Sequence, residues 1–110
     1  MAEKIKLVRG DVNRPQIQAS LTDENTGNVI DITNATVLLK FRQTGATTLT
    51  DTITGTITDA ANGVVVFPMS QTALAGEPGD YEGEIEVTFA AGSGIQTVYD
   101  ILKFYIREQF

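Results

Sequence analysis

Three glutamates, Glu82, Glu84 and Glu86, come nearest to a chemical site in this sequence. Their spacing of two residues puts all three carboxylates on one face of a β-strand. Paired carboxylates hydrolyse glycosidic bonds when they flank a sugar in a cleft. Here they form a row on a flat strand, and the chain has no tryptophan on which a sugar ring could stack. Hydrolysis of this kind is therefore not expected.

Other reactive side chains are scarce. The chain has no histidine and no cysteine, so it lacks the commonest general base, the commonest transition-metal ligand and a thiol nucleophile. Aspartates stand in or near several turns, but without the spacing of a calcium-binding loop. Such aspartates usually accept hydrogen bonds from their own backbone. We predict a protein that is not an enzyme and has no catalytic residues, no metal site, no cofactor and no small-molecule substrate.

The glutamate row (Glu82, Glu84 and Glu86) has two interpretations. If the third and last strands flank it, basic side chains on those strands pair with the carboxylates across the sheet. The candidate partners are Lys40, Arg42, Lys103 and Arg107. The alternative is an acidic docking surface, which would speed association with a basic partner more than it would add affinity.

Size and charge limit the class of partner. A chain of 110 residues is expected to form one domain, 1–110, around a single core. A net charge of −6 and a pI near 4.4 disfavour nucleic acid and anionic membranes, which need a concentrated basic surface. Charged residues are scattered among the apolar ones in segment 1–11. We therefore expect no signal peptide and no membrane-spanning helix. The protein is expected to stay in the cytoplasm unless an assembly carries it out.

An alternation of apolar and polar residues dominates the chain and predicts an all-β fold. Strands are expected at 4–9, 15–22, 35–43, 48–58, 63–69, 81–89 and 96–107, with a short extended run at 29–32. Turn signals separate these runs, and the last two strands form a hairpin across the glycine-rich residues 90–94. The pattern indicates an immunoglobulin-like antiparallel β-sandwich of about seven to eight strands.

Two segments depart from simple alternation. The threonine-rich strand 48–58 is expected to bury Leu49, Ile53 and Ile57, with Gly55 at a bulge or bend. In segment 70–76, a serine that can cap and a glycine that can terminate a helix predict one short helical turn.

Tyr81 follows the turn residues Pro78, Gly79 and Asp80 at the start of a strand. In β-sandwiches a tyrosine in this position folds its hydroxyl back onto the preceding loop. Gly79 and Tyr81 are therefore predicted to form a structural corner.

Candidate interface residues lie near both ends of the chain. Alternation turns Tyr105 and Arg107 outward, and Phe110 has no predicted neighbour to cover it, which is a composition typical of interface anchors. A tyrosine lying flat over a strand edge is an equal alternative. Strand 4–9, which carries Lys4 and Lys6 on one face, and strand 48–58 are the expected sheet edges. Such edges can accept a strand from a neighbour.

Read in order, the chain resembles the amino-terminal domain of phage baseplate upper proteins over nearly its whole length. The matching elements are Gly10-Asp11, Leu21 with Asp23, Asp31-Ile32-Thr33, Ala35 with Val37, Arg42, Gly63 with Phe67, the TALAG turn 72–76, PGDYEGEIEVTF at 78–89 and the closing strand 99–106. Their order and spacing carry the resemblance more than any single element does.

The resemblance implies a structural module of a tailed-phage virion near the baseplate, where receptor-binding proteins attach. It brings no catalytic residues. The implied partners are other virion proteins in symmetric copies, and the implied location is the virion, assembled in the host cytoplasm. Family members continue beyond this domain, whereas this sequence ends at Phe110. A small adaptor for fibre or receptor-binding proteins is the leading expectation. A head or neck decoration protein and a free carbohydrate- or host-surface-binding sandwich are the alternatives.

Overall fold

The computed structural model describes residues 4–12, 15–23, 25–90, 94–98 and 101–110. Within these ranges the chain forms nine β-strands and one 3-10 helix, Ala60–Asn62. The strands are β1 (Ile5–Val8), β2 (Gln16–Ser20), β3 (Thr36–Gln43), β4 (Asp51–Thr54), β5 (Thr56–Asp59), β6 (Val64–Pro68), β7 (Gly79–Thr88), β8 (Ile95–Thr97) and β9 (Leu102–Arg107). None of the helical structure in the described ranges is long and apolar enough to cross a membrane.

The strands form two sheets. The larger has the order β1-β9-β7-β3-β4, with β8 also pairing with β7, and the smaller has the order β2-β6-β5. Neighbouring strands are antiparallel except β1 and β9, which run parallel. Alternate apolar residues of both sheets turn towards one shared core, so the predicted all-β sandwich is confirmed.

Aromatic rings occupy the centre of that core. Phe41, Phe67 and Phe104 are fully buried, and the Phe104 ring meets the Phe41 ring edge-on at a centroid distance of 5.0 Å. Gly83 lies opposite Phe41 in the ladder. A Cβ atom there would be 2.7 Å from the Leu39 Cδ1 atom and 3.1 Å from the Phe104 Cε1 atom. The glycine therefore leaves the space that the neighbouring side chains fill.

The prediction of one continuous strand at 48–58 was wrong. The segment contains β4 in the larger sheet and β5 in the smaller sheet, and Gly55 is the residue between them. A Cβ atom on Gly55 would be 2.5 Å from the Val65 Cγ2 atom and 2.8 Å from the Phe67 Cε1 atom. The chain crosses between sheets at this position because only a residue without a side chain fits so close to the core. Ile53 is buried as predicted, whereas Leu49 is 48% exposed because it precedes the strand.

Other expected boundaries also shift. Segment 29–32 forms no strand and contributes only a single bridge between Val29 and Thr22. The 3-10 helix follows β5 directly, at a position predicted to be a turn. Segment 70–76 forms the predicted single turn: the Leu74 N–H donates to the Ser70 backbone oxygen at 3.2 Å, and the Ser70 hydroxyl accepts a hydrogen bond from the Ala73 N–H at 3.1 Å. The last predicted strand is divided into β8 and β9. Together with the division at Gly55, this gives more strands than expected.

Candidate functional site

The predicted interface residues on the strands share one surface, the outer face of the larger sheet. On β7 the inward positions are buried, and the glutamate row occupies the opposite positions. On β9, Lys103, Tyr105 and Arg107 likewise point away from the core. The register between β7 and β9 places Glu82 opposite Lys103 and Asp80 opposite Tyr105. The sheet therefore joins residues from distant parts of the sequence into one charged surface.

Two members of the glutamate row form ion pairs across the sheet. The Glu82 carboxylate lies 2.6 Å from the Arg42 guanidinium, and the Glu86 carboxylate lies 3.0 Å from the Lys40 ammonium. The Glu82 side chain is only 14% exposed, so its pair is better shielded from solvent than most surface pairs. This arrangement agrees with cross-strand pairing for these two residues.

Glu84 differs from its neighbours. It lies opposite Lys40 in the ladder, but the Lys40 ammonium pairs with Glu86 instead. Within the described ranges Glu84 takes part in no ion pair. It is also exposed. Of the three glutamates, Glu84 is therefore the one best placed to bind a basic partner.

The predicted pairing of Arg107 with the glutamate row was wrong. The β7–β9 ladder ends with Gly79 opposite Ile106, so Arg107 lies beyond it, next to Val8 of β1. Its guanidinium donates a hydrogen bond to the backbone oxygen of Glu108 at 2.9 Å and lies 5.0 Å from the centre of the Phe110 ring. The prediction failed because Arg107 lies four residues, about 13 Å, beyond Lys103 along β9, which is past the end of the ladder with β7.

Strands β1 and β9 present a second group of exposed side chains beside the glutamate row. Lys6 lies opposite Tyr105 in the parallel ladder, and Tyr105 is 45% exposed. The Lys4 ammonium is 2.8 Å from the Asp80 carboxylate. Phe110 is fully exposed. We call Lys4, Lys6, Tyr105, Arg107 and Phe110 the β1–β9 patch.

Tyr81 and Gly79 lie where the turn enters β7. The Tyr81 hydroxyl donates a hydrogen bond to the Glu77 backbone oxygen at 2.7 Å, and Gly79 has a φ angle of +137°, which glycine adopts more readily than other residues. Burial, and then the nearby Glu77 charge, raise the pKa of the Tyr81 hydroxyl. The hydroxyl therefore remains a hydrogen-bond donor at neutral pH.

The sequence did not indicate how the ends of the chain are joined to this corner. The Arg9 guanidinium donates a hydrogen bond to the Gly76 backbone oxygen at 2.9 Å and pairs with the Glu108 carboxylate at 2.9 Å. The Gly10 N–H donates to the Leu74 backbone oxygen at 2.9 Å. Each of these contacts joins residues that are far apart in the sequence, so local sequence patterns do not predict it.

Two depressions lie on the surface of the described part of the chain. One, of about 360 Å³ and open to solvent, is lined by Arg9, Gly10, Ala75, Glu108 and Gln109. A pocket of about 120 Å³ lies on the outer face between Leu49 and Ile101, with Lys40, Arg42 and Glu84 among its other lining residues. This second volume is below the roughly 300 Å³ of pockets that hold drug-sized ligands. No group of three or more acidic side chains in the described ranges is arranged to hold a metal ion.

Comparison with known proteins gives a likeness in fold. No family model matches the chain, and no curated protein sequence matches it significantly. Among solved structures, the N-terminal domain of phage TP901-1 ORF48 superposes with a TM-score of 0.67 at 18% identity, covering 98% of this chain and 86% of that one. At this identity the likeness shows a shared fold, and the protein has the β-sandwich architecture found in that phage protein domain.

Proposed function

We propose that this protein is a non-enzymatic structural component of a tailed-phage virion, where it acts as a small adaptor at the baseplate or tail. It would hold fibre or receptor-binding proteins through protein contacts, in symmetric copies set by the particle. The shared fold with a domain of a phage protein supports a virion role. The resemblance in sequence to baseplate upper proteins supports a place near the baseplate.

The observation that carries the docking part of the proposal is the position of β1. It forms one end of the larger sheet, and the exposed β1–β9 patch lies beside it. An edge strand has backbone groups on one side that a neighbouring chain can bind. The patch adds two aromatic rings and an arginine, which are residue types enriched at protein interfaces.

We further propose that the sandwich is immunoglobulin-like. Strands β2, β6 and β5 are adjacent in the order of strands B, E and D, and β9, β7 and β3 are adjacent in the order of strands G, F and C. Strand β4 then takes the position of C′. An experimental structure with a different strand order would contradict this assignment.

The adaptor proposal is tested by replacing the chain in assembling particles with charge-reversed variants. Lys4→Glu combined with Lys6→Glu changes the β1–β9 patch, and both side chains are exposed. Thr52→Glu combined with Thr54→Glu is the control, which adds two glutamates on β4 at the opposite end of the larger sheet. We expect both proteins to fold, as judged by thermal unfolding. Only the β1 variant should be missing from purified particles, and equal incorporation of both would contradict docking through β1.

Immunogold labelling of particles with an antibody against this chain tests the location. Label at the tail tip would support the baseplate proposal. Label at the head or neck would favour a decoration role instead. Unlabelled particles, with the chain abundant in the soluble lysate, would overturn the virion role and favour a free binding module.

A further inference from the structure

Strand β2 has an open edge. Among the described residues it pairs with β6 and with no strand on its other side. At the two ends of the β2–β6 ladder, the Met69 N–H donates to the Pro15 backbone oxygen at 2.9 Å and the Leu21 N–H donates to the Gly63 backbone oxygen at 2.9 Å. The residues of β2 that bond towards β6 are therefore the odd-numbered ones, because antiparallel hydrogen bonding alternates along a strand.

The backbone N–H and C=O groups of Gln16, Gln18 and Ser20 consequently point away from β6. Within the described ranges, no hydrogen bond is formed to these groups. The side chains of the same three residues are exposed, whereas Ile17 between them is buried. Strand β2 thus has a complete side of unpaired backbone donors and acceptors next to uncharged polar side chains.

The other sheet edges carry features that discourage pairing with a second copy of the chain, and β2 does not. Strand β8 is only three residues long, and very short edge strands pair poorly. Strand β1 has Lys6 at its centre, so pairing of two β1 strands would bring like charges together. A different partner with acidic side chains could still pair with this edge. On β4 the Thr52 N–H is occupied by the Asp51 carboxylate at 2.9 Å. On β5 the register shifts between Ile57 and Asp59. The β2 sequence QIQAS has no charge, no proline and no bulge in its pairing with β6.

We propose that β2 pairs with β2 of a second copy of this chain, antiparallel about a two-fold axis through Gln18. In this register Gln18 faces Gln18 and Gln16 faces Ser20, so the outward backbone groups of both strands meet as hydrogen-bonded pairs. The opposed side chains are amides and hydroxyls, which can hydrogen bond across the strands. The smaller sheets of the two copies then join into one continuous sheet.

A second copy fits this edge because the segment is complementary to itself. Pairing about a two-fold axis brings like residues together, which would repel if they were charged. The three outward side chains of β2 are all neutral, although the whole chain carries a net charge of −6. One short strand buries little area, so the dimer should be weak when free and strengthened where several contacts act together. The proposal does not depend on the adaptor function, since β2 lies in the other sheet from the β1–β9 patch.

The test is sedimentation equilibrium of the full chain over a wide concentration range. We expect the natural protein to be in monomer–dimer equilibrium. Gln18→Lys and Gln18→Glu should each weaken self-association by roughly tenfold or more, because each puts like charges opposite one another. An equimolar mixture of the two variants should recover dimerisation, since the opposed charges are then complementary. Thr52→Lys on β4 is the control and should associate like the natural protein.

A backbone variant provides a second test. Gln18→Pro removes an outward N–H and leaves the hydrogen bonds to β6 intact, so the monomer should fold, as judged by circular dichroism, and should not dimerise. A natural protein that stays monomeric up to millimolar concentration would overturn the proposal. So would a dimer whose affinity is unchanged by all three Gln18 variants, because its interface would then lie elsewhere.

Discussion

The rings of Phe41 and Tyr81 stack with their centroids 5.0 Å apart and an angle of 3° between their planes. Phe41 is fully buried in β3, so it fixes the Tyr81 ring from the side of the core. The Tyr81 hydroxyl reaches the opposite way, to the Glu77 backbone oxygen at 2.7 Å. One side chain therefore joins the aromatic core to the turn that leads into β7.

Replacing Tyr81 with phenylalanine should keep the ring stack and remove only the hydrogen bond to Glu77. We expect Tyr81→Phe to lower the free energy of unfolding by about 1 kcal/mol, the usual net value of one such bond. Urea unfolding measures the change. Tyr105→Phe is the control, because Tyr105 is half-exposed on the outer face and should change stability little. Equal effects of the two substitutions would contradict a specific role for the corner.

Gly55→Ala tests whether the crossing between sheets requires a residue without a side chain. The added methyl group would lie 2.5 Å from the Val65 Cγ2 atom, and overpacking of this kind costs roughly 1–3 kcal/mol. Val65→Ala makes room, so the double variant should be less destabilised than the sum of the two single variants. Strictly additive losses in chemical unfolding would show that the methyl group finds space without Val65 moving.

The two kinds of glutamate in the row should respond differently to neutralisation. Glu82→Gln removes the pair with Arg42 and should lower the free energy of unfolding by up to about 1 kcal/mol, with a smaller loss at high salt. Glu84→Gln removes no ion pair seen in the described ranges and should stay within about 0.5 kcal/mol of the natural protein. Urea unfolding at low and high salt compares them. A larger loss at Glu84 would mean that this carboxylate has a structural partner.

Glu84→Lys tests whether the Glu84 carboxylate, which has no ion pair among the described residues, contributes to docking. If the glutamate row binds a basic partner, charge reversal should reduce incorporation of the folded variant into particles. Reversal also places a lysine opposite Lys40, so stability is measured alongside assembly, and Thr52→Lys is the matched surface control. Normal assembly with slightly altered stability would reject the docking interpretation of the row.

Acid should destabilise the protein through two turn aspartates. The pKa of Asp23 is lowered mainly by the hydrogen bond from the Asn25 N–H, and the pKa of Asp31 mainly by the Thr33 hydroxyl. A folded pKa below the ordinary value of 3.8 stabilises the folded state above that pH, and the contribution is lost as pH falls through the folded pKa. Asp23→Asn combined with Asp31→Asn keeps hydrogen-bond acceptors that do not titrate. Unfolding by urea at neutral and acid pH should show a smaller acid loss in this variant, and an unchanged loss would contradict the prediction.

Much of the site could be placed on the correct face from the sequence, while its pairings could not. Alternation along β7 and β9 correctly separated Tyr105 and the glutamate row from Phe104 and the buried positions, because side chains of a strand alternate strictly between two faces. Alternation also placed Arg107 on the correct face, but the expected arrangement of the strands gave it the wrong neighbours. Which residues meet across a sheet depends on register and on where a ladder ends, and neither is encoded in the period of one strand.

The sequence by itself determined the all-β class, the inward and outward positions of most strands, and the turn before Tyr81. These depend on local alternation and on turn residues, whose conformational preferences act over a few neighbours. Only the tertiary structure decided that segment 48–58 divides between two sheets at Gly55. It also decided that, among the described residues, Glu84 has no ion pair and β2 has an open edge. Each of these depends on contacts between segments far apart in the chain, because a strand's neighbours are selected by the packing of the whole core.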